Sequence, residues 1–72
     1  MTKPAIVLQD VFLNLIRKDR IPLSIVLTNN EQLNGFVKGF DSFTIILENE
    51  EGQFLIYKNA VAILKPSRVV LM

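Results

Sequence analysis

The chemistry open to this chain is limited by the residue types that it lacks, since its 72 residues include no histidine and no cysteine. Without them there is no Ser-His-Asp triad, no Cys-His pair and no imidazole acid or base. The usual ligands of structural zinc are missing as well, and so are the phosphate-binding motifs GxxxxGK[ST] and GxGxxG. We therefore predict that the chain is not an enzyme and needs no metal or cofactor.

The cationic and aromatic side chains that could bind a ligand lie in two clusters of the sequence. Arg17, Lys18 and Arg20 place three cations within four residues, and Tyr57-Lys58-Asn59 joins an aromatic ring to a cation and an amide. The formal net charge is only +1. A nucleic-acid site would therefore depend on where the charges lie rather than on their sum.

A helix is predicted to carry the first of these clusters. Its apolar stripe follows i, i+4, i+7, i+8 spacing and consists of Leu8, Phe12, Leu15 and Ile16. Asp10 would lie in the first turn, where an acid suits the helix dipole. Pro22 ends the helix, because the residue before a proline avoids helical backbone. Residues 1–7 show no period and are predicted to form a tail.

Beyond Pro22 the apolar period changes to 2, which is typical of strands. Strands are predicted at 23–28, 32–40, 43–48, 53–58 and 60–65. Asn29-Asn30 suits a turn, since Asn tolerates positive φ. Gly35 and Gly39 share one face of the second strand and favour a sharp bend with close backbone approach, as in a small barrel.

The size of the chain predicts self-association. Half of it is hydrophobic (50%), and a domain this small hides too little surface to be stable without a staple or a partner. Its last two strands are apolar on both faces, so an exposed edge there would pair with another chain. No apolar run reaches the ~18 residues of a membrane span, and no signal peptide is evident; we expect a cytoplasmic protein.

Three stretches, in order, resemble the Hfq family, the bacterial Sm/LSm-like RNA-binding rings. They are QDVFLNLIRKDRIP (9–22), LNGFVKGFDSFTIIL (33–47) and IYKNA (56–60), followed by Pro66-Ser67-Arg68. The resemblance implies a mainly β fold, with an N-terminal α-helix followed by a strongly bent five-stranded antiparallel Sm-like barrel. It also implies a homohexameric ring in which strand four pairs with strand five of the next chain. The domain would span 8–66, between an N-terminal tail (1–7) and a short C-terminal tail (67–72).

The function implied by the resemblance is RNA chaperoning. Such a protein holds small regulatory RNAs and messenger RNAs and promotes their pairing in post-transcriptional regulation, including stress responses. RNA would be the ligand, with no membrane partner and no DNA as primary ligand. An alternative is an Sm-like ring with weakened RNA affinity that serves as a protein-interaction or structural assembly.

The first implied surface is the proximal pore, which binds uridine-rich single strands. It maps onto Gln9, Ser42, Phe43, Tyr57, Lys58 and Asn59. Aromatic rings can stack on bases, but Phe43 and Tyr57 could instead be core aromatics, and Tyr57 could pack at the subunit interface. The family motif reads Tyr-Lys-His-Ala; Asn59 replaces the His and removes a ring, so we expect weaker uridine binding.

Two further surfaces are implied. The lateral rim maps onto Asn14, Arg17, Lys18, Arg20 and Phe40, and its cations would form a salt-sensitive phosphate band or merely complement the helix C-terminus. The distal face binds adenosine-rich repeats and maps onto Leu27, Asn29, Gln32, Leu33 and Asn34. There the family usually has an aromatic residue near Val26, and Glu31 adds an anion, so we expect weaker or altered binding.

Overall fold

The computed structural model describes residues 4–71, with side chains from residue 8 onward. Helix α1 spans Pro4–Lys18, so it begins before the predicted start at residue 8. Proline is favoured at the first helical position, where its missing N–H would have no partner anyway. The predicted tail is therefore wrong for residues 4–7, while residues 1–3 lie outside the described part.

Helix α1 ends in a Schellman motif centred on Arg20. The Ile21 N–H donates to the Ile16 carbonyl at 3.0 Å, and the Arg20 N–H donates to the Arg17 carbonyl at 3.2 Å. The motif needs a left-handed residue, usually glycine, and Arg20 fills that position with φ 52°. Ile16 and Ile21, whose backbone groups form the motif, are both buried. The residue that follows Arg20 therefore already lies in the core.

Five strands follow, and each bound lies within one residue of its prediction. They are β1 (Leu23–Leu27), β2 (Gln32–Phe40), β3 (Thr44–Asn49), β4 (Gly52–Tyr57) and β5 (Val61–Pro66). A single turn of 3₁₀ helix, Lys58–Ala60, joins β4 to β5. The predicted turn at Asn29-Asn30 is confirmed: Asn30 has φ 73°, and the Asn29 Oδ1 accepts the Glu31 N–H at 3.0 Å.

All pairings in the sheet are antiparallel, in the order β4-β3-β2-β1-β5. The first half of β2 pairs with β1 and the second half pairs with β3, with a register shift between Val37 and Gly39. At Gly35 a side chain would collide with the Glu48 carbonyl oxygen, whereas Gly39 has open space around it. The predicted close approach is thus confirmed at Gly35, and the bend lies at the shift, beside Gly39.

The core lies between α1 and the inner face of the bent sheet. It consists of Leu13, Ile16, Ile21, Leu23, Ile25, Val37, Ile45, Leu47 and Ile56. The buried stripe of the helix is therefore Leu13 and Ile16, while Leu8, which was predicted to lie in the stripe, is 61% exposed. The predicted C-terminal tail also packs, since Val70 lies against the core and the Ser67 N–H donates to the Pro22 carbonyl at 2.9 Å.

Candidate nucleic-acid interface

The predicted pore residues meet where β3 begins and β4 ends. Thr44 pairs with Tyr57 across the two strands, and the Lys58 N–H donates to the Phe43 carbonyl at 2.8 Å. A surface depression of about 360 Å³, called the pore depression below, is lined by Ser42, Phe43, Tyr57, Lys58 and Asn59. The structure thus brings together five of the six predicted pore residues.

The aromatic rings of this depression are exposed. Phe43 is 76% exposed and Tyr57 is 59% exposed, so the alternative that they are core aromatics is wrong. Large rings with a free face are suited to stacking on unpaired bases. Because Tyr57 ends the edge strand β4, packing at a subunit interface stays open for that residue.

Lys58 is the most enclosed polar group of the depression, with 12% of its side chain exposed. Its Nζ lies 3.7 Å from the Asp10 Oδ1 and 5.5 Å from the centre of the Phe40 ring. Asp10 does not lie in the first helical turn as predicted, because α1 begins at Pro4. It instead reaches Lys58 and holds the ammonium group in place.

Gln9, the sixth predicted pore residue, is absent from the residues lining the first depression. It lines an adjoining depression of about 270 Å³ together with Lys58, Leu13 and Ile45. Lys58 borders both depressions. Lys58 is therefore the predicted pore residue that the two depressions share.

Asp41 organises the turn that presents Phe43. Its Oδ1 accepts the Phe43 N–H and the Thr44 N–H, both at 2.8 Å, and the Thr44 hydroxyl at 2.9 Å. These bonds, with the Phe43 N–H first, lower the pKa of the Asp41 carboxyl, and the charge of Lys58 adds to the effect. The sequence predicted only a short turn here, although Asp and Asn commonly bond backbone N–H groups further along.

The predicted rim residues do not all lie together. Asn14 Oδ1 accepts a hydrogen bond from Arg17 at 2.9 Å, but Phe40 lies with Lys58 instead. The register shift explains this separation: Phe36 pairs with Glu48, whereas Phe40 pairs with buried Ile45. Phe36 and Phe40 therefore lie on opposite faces of β2, although the regular alternation of a strand would place both on one face.

Phe36 occupies the place near the cations where Phe40 was predicted to lie. The Arg20 Cζ lies 5.5 Å from the centre of the Phe36 ring. A depression of about 200 Å³ is lined by Arg17, Arg20, Phe36, Val37 and Lys38. Sequence reasoning omitted Phe36 and Lys38, because the bulge that separates them from Phe40 leaves no mark in the apolar alternation.

The predicted distal residues divide between the two faces of the sheet. Leu27 and Leu33 pack against the core and are partly buried. Asn34 lies opposite Ser24, with its Oδ1 accepting the Ser24 hydroxyl at 2.6 Å and the Gln32 amide at 3.5 Å. Ser24, Gln32 and Asn34 therefore form a small polar network on the outer face of β1 and β2, and the Asn29 Oδ1 bonds within the turn.

Two other kinds of site are not seen in residues 4–71. No three Asp or Glu side chains in this range gather as metal ligands would. None of the helical structure described is long and apolar enough to cross a membrane.

Fold and site together define a class of protein: a helix followed by a bent five-stranded antiparallel sheet of the Sm-like type, with exposed aromatic rings around an enclosed lysine. The model of the Hfq protein family matches residues 8–71, and the chain belongs to that family. It is 54% identical over 70 residues to the RNA-binding protein Hfq of Desulforamulus reducens, covering 97% of this chain and 88% of the relative.

Further relatives agree with this assignment. The RNA-binding protein Hfq of Clostridium botulinum is 54% identical over 71 residues, covering 99% of this chain and 84% of the relative. A crystal structure of the pleiotropic translational regulator Hfq superposes with a TM-score of 0.78 at 24% identity, covering 81% of this chain and 97% of that one. The structural match confirms the predicted fold, and the relatives confirm the family.

Proposed function

We propose that this protein is an RNA chaperone of the cytoplasm that binds uridine-rich single strands at the pore depression and promotes pairing between small regulatory RNAs and messenger RNAs. The supporting observation is the exposure of Phe43 and Tyr57 beside an enclosed Lys58. The rings supply stacking surfaces for bases, and the ammonium group supplies a donor to a phosphate or a base carbonyl.

The proposal includes a homohexameric ring. The end strands of the sheet are β4 and β5, and their unpaired sides are templates for another chain. Exposed apolar residues occur on both, namely Leu55 (55%) and Tyr57 (59%) on β4 and Ile63 (51%) on β5. Pairing β4 of one chain with β5 of the next would cover these edges and bring the pore depressions of neighbouring chains to one axis.

A titration with fluorescently labelled hexauridine, read by anisotropy at a stated salt concentration, tests the pore. We expect saturable binding that Phe43→Ala weakens by ~5-fold to 150-fold, because a stacked base contributes about 1–3 kcal/mol. Val69→Ala is the matched control, since Val69 is 81% exposed and lies outside the depression. Equal affinities for the two variants would contradict the pore assignment.

The proposal also includes the rim and distal surfaces. Asn14, Arg17, Lys18 and Arg20 would hold phosphates, so replacing Arg17 and Lys18 by Ala should flatten the salt dependence of binding, by about 0.7 in the log–log slope for each lost contact. An unchanged slope would leave these cations only a role at the helix end. Distal adenosine binding should be weak, because Val26 stands where the family usually has an aromatic ring and Glu31 adds an anion.

A second candidate function is an Sm-like ring that has lost RNA affinity and serves as a protein-interaction assembly. Asn59 in place of the family His and Glu31 on the distal side favour it, because one removes a ring and the other adds an anion. A ring of the expected mass that binds neither hexauridine nor hexaadenosine would favour this second function over the first.

A further inference from the structure

Phe36 is a second aromatic residue with the surroundings of a base-stacking site, on the opposite side of the register shift from the pore depression. It lies on the outer side of β2, paired with Glu48, and is 36% exposed. Unlike Phe40, it does not join the residues packed against the core. The ring therefore has a surface that packing within the chain does not use.

Cations surround one side of this ring. Arg20, Arg17 and Lys38 line the same depression of about 200 Å³ as Phe36. The left-handed backbone of Arg20 ends the helix so that its guanidinium lies 5.5 Å from the ring centre. An anionic ligand is the chemistry that a depression with three cations and an aromatic wall would bind.

Two of the cations have weak internal partners that a ligand can displace. Lys38 Nζ lies 3.5 Å from Glu48 Oε1, with both side chains nearly half exposed, and such surface pairs contribute little to stability. Arg17 donates to the Asn14 side chain, which leaves other guanidinium N–H groups to donate. The depression therefore keeps donors for a phosphate group.

Phe36 also borders a second, wider depression. It has a volume of about 450 Å³ and is lined by Pro22, Asn34, Gly35, Phe36, Asn49, Glu50 and Glu51. Gly35 has no side chain, so nothing projects from that residue beside the ring. The space is sufficient for a planar base, whose neighbouring phosphate would lie on the cationic side.

We propose that Phe36 with Arg20, Arg17 and Lys38 forms an additional single-stranded RNA site, in which a base stacks on Phe36 and its phosphate is held by the three cations. This inference rests on the proposed RNA-binding function and extends it to a site centred on β2. It shares Arg17 and Arg20 with the implied rim, and it differs from the rim in using Phe36 and Lys38 in place of Phe40.

The chain contains no tryptophan, so a single introduced indole reports binding locally. Phe36→Trp places the reporter at the proposed site, and Phe43→Trp places it in the pore depression. Each variant is titrated with hexaadenosine and with hexauridine at the same low salt concentration. Far-UV circular dichroism and solution mass check that each variant folds and assembles as the parent does.

We expect hexaadenosine to quench the Phe36→Trp variant saturably, because a purine offers the larger stacking surface. Adding Lys38→Gln, which can still donate to Glu48, should lower the log–log salt slope of that quenching by about 0.7. Lys65→Gln removes the same charge from β5 and should leave the slope as it was. As a second test, Phe36→Leu should weaken hexaadenosine binding by anisotropy ~5-fold or more.

The outcomes separate this site from the pore. If hexauridine quenches Phe43→Trp while neither oligomer quenches Phe36→Trp, and Phe36→Leu binds as the parent does, the additional site is wrong and the pore stands. If Lys38→Gln leaves the salt slope of Phe36→Trp quenching unchanged, the assignment of the phosphate to the three cations is wrong. Quenching of Phe36→Trp alone would support this site and contradict the pore, and quenching of neither variant would contradict both.

Discussion

At the scale of single residues, the pore depression combines groups that would stack, donate and position in the proposed RNA site. Phe43 and Tyr57 present rings, Lys58 presents an ammonium group held by Asp10, and Asn59 stands at the exposed middle of the 3₁₀ turn. Asn59 is the one of these residues that departs from the family motif, and it offers an amide where the family offers a ring.

Restoring the ring at that position should strengthen uridine binding. Asn59→His adds a flat surface and a donor, so we expect hexauridine to bind ~5-fold or more tightly if the ring stacks on a base. Anisotropy at fixed salt measures the change, and Asn59→Ala serves as the control without either group. An affinity that stays the same or falls would contradict this account of the pore.

The charge of Asp41 should stabilise the folded chain at neutral pH and not in acid. The pKa of this carboxyl is lower than its usual value of 3.8 in the folded state. A lowered pKa contributes stability above the unfolded value and loses it as the pH falls through the folded value. Asp41→Asn should therefore melt below the parent at pH 7.

The difference between the two melting temperatures should shrink as the pH falls from 3.8 through the lowered folded-state pKa of Asp41, because the parent carboxyl becomes neutral as well. Thermal unfolding by circular dichroism from pH 7 to pH 2 measures it. A difference that is the same at both ends of this range would show that the charge contributes nothing.

At the scale of elements, the helix and all five strands could be predicted from the sequence, because apolar alternation and turn residues are local signals. The start of α1 was missed, since residues 4–7 show no apolar stripe and no polar capping residue stands directly before Pro4. The bulge in β2 was missed because the extra residue moves the Phe40 side chain to the other face of the strand, and the pattern of residue types gives no sign of that change. Contacts such as Asp10 with Lys58 depend on how elements pack, which spacing does not encode.

The two glycines of β2 should differ in their tolerance of a methyl group. Gly35→Ala would bring the added Cβ into collision with the backbone of β3 at Glu48. A strand backbone cannot move aside as easily as the end of a flexible side chain. We expect a loss of about 1–3 kcal/mol in the free energy of unfolding, as for other overpacking changes. Urea unfolding measures the loss.

Gly39→Ala is the matched control for this change. It lies in the same strand with no atom within 4 Å of the added Cβ, so its free energy of unfolding should stay close to that of the parent. Equal losses in the two variants would mean that the cost is general to β2 rather than specific to the contact at Glu48.

At the scale of the whole molecule, the small size of the chain and its free sheet edges both favour association between chains. The buried core is small, and the edge strands carry exposed apolar residues. A short chain that is half hydrophobic is expected to leave apolar surface uncovered, and the strand order locates part of that surface at the edges β4 and β5.

Light scattering should give a solution mass about six times that of the 8.2 kDa chain. Leu55→Lys places a charge on the β4 edge and should lower that mass, since edge lysines oppose strand pairing. Val11→Lys is the control on an exposed helical position and should keep the parent mass. A parent that runs as a single chain would contradict the ring.

The strand order also has a consequence for mixtures of sound and damaged chains. In the proposed ring each chain would both give an edge and receive one, because the two free edges are different strands, and a closed ring would have no spare position. A chain that has lost β4 pairing would still offer β5, so it would enter assemblies that it cannot close. The fraction of intact rings would then fall as a power of the fraction of intact chains. A minority of defective chains would therefore disrupt most of the rings.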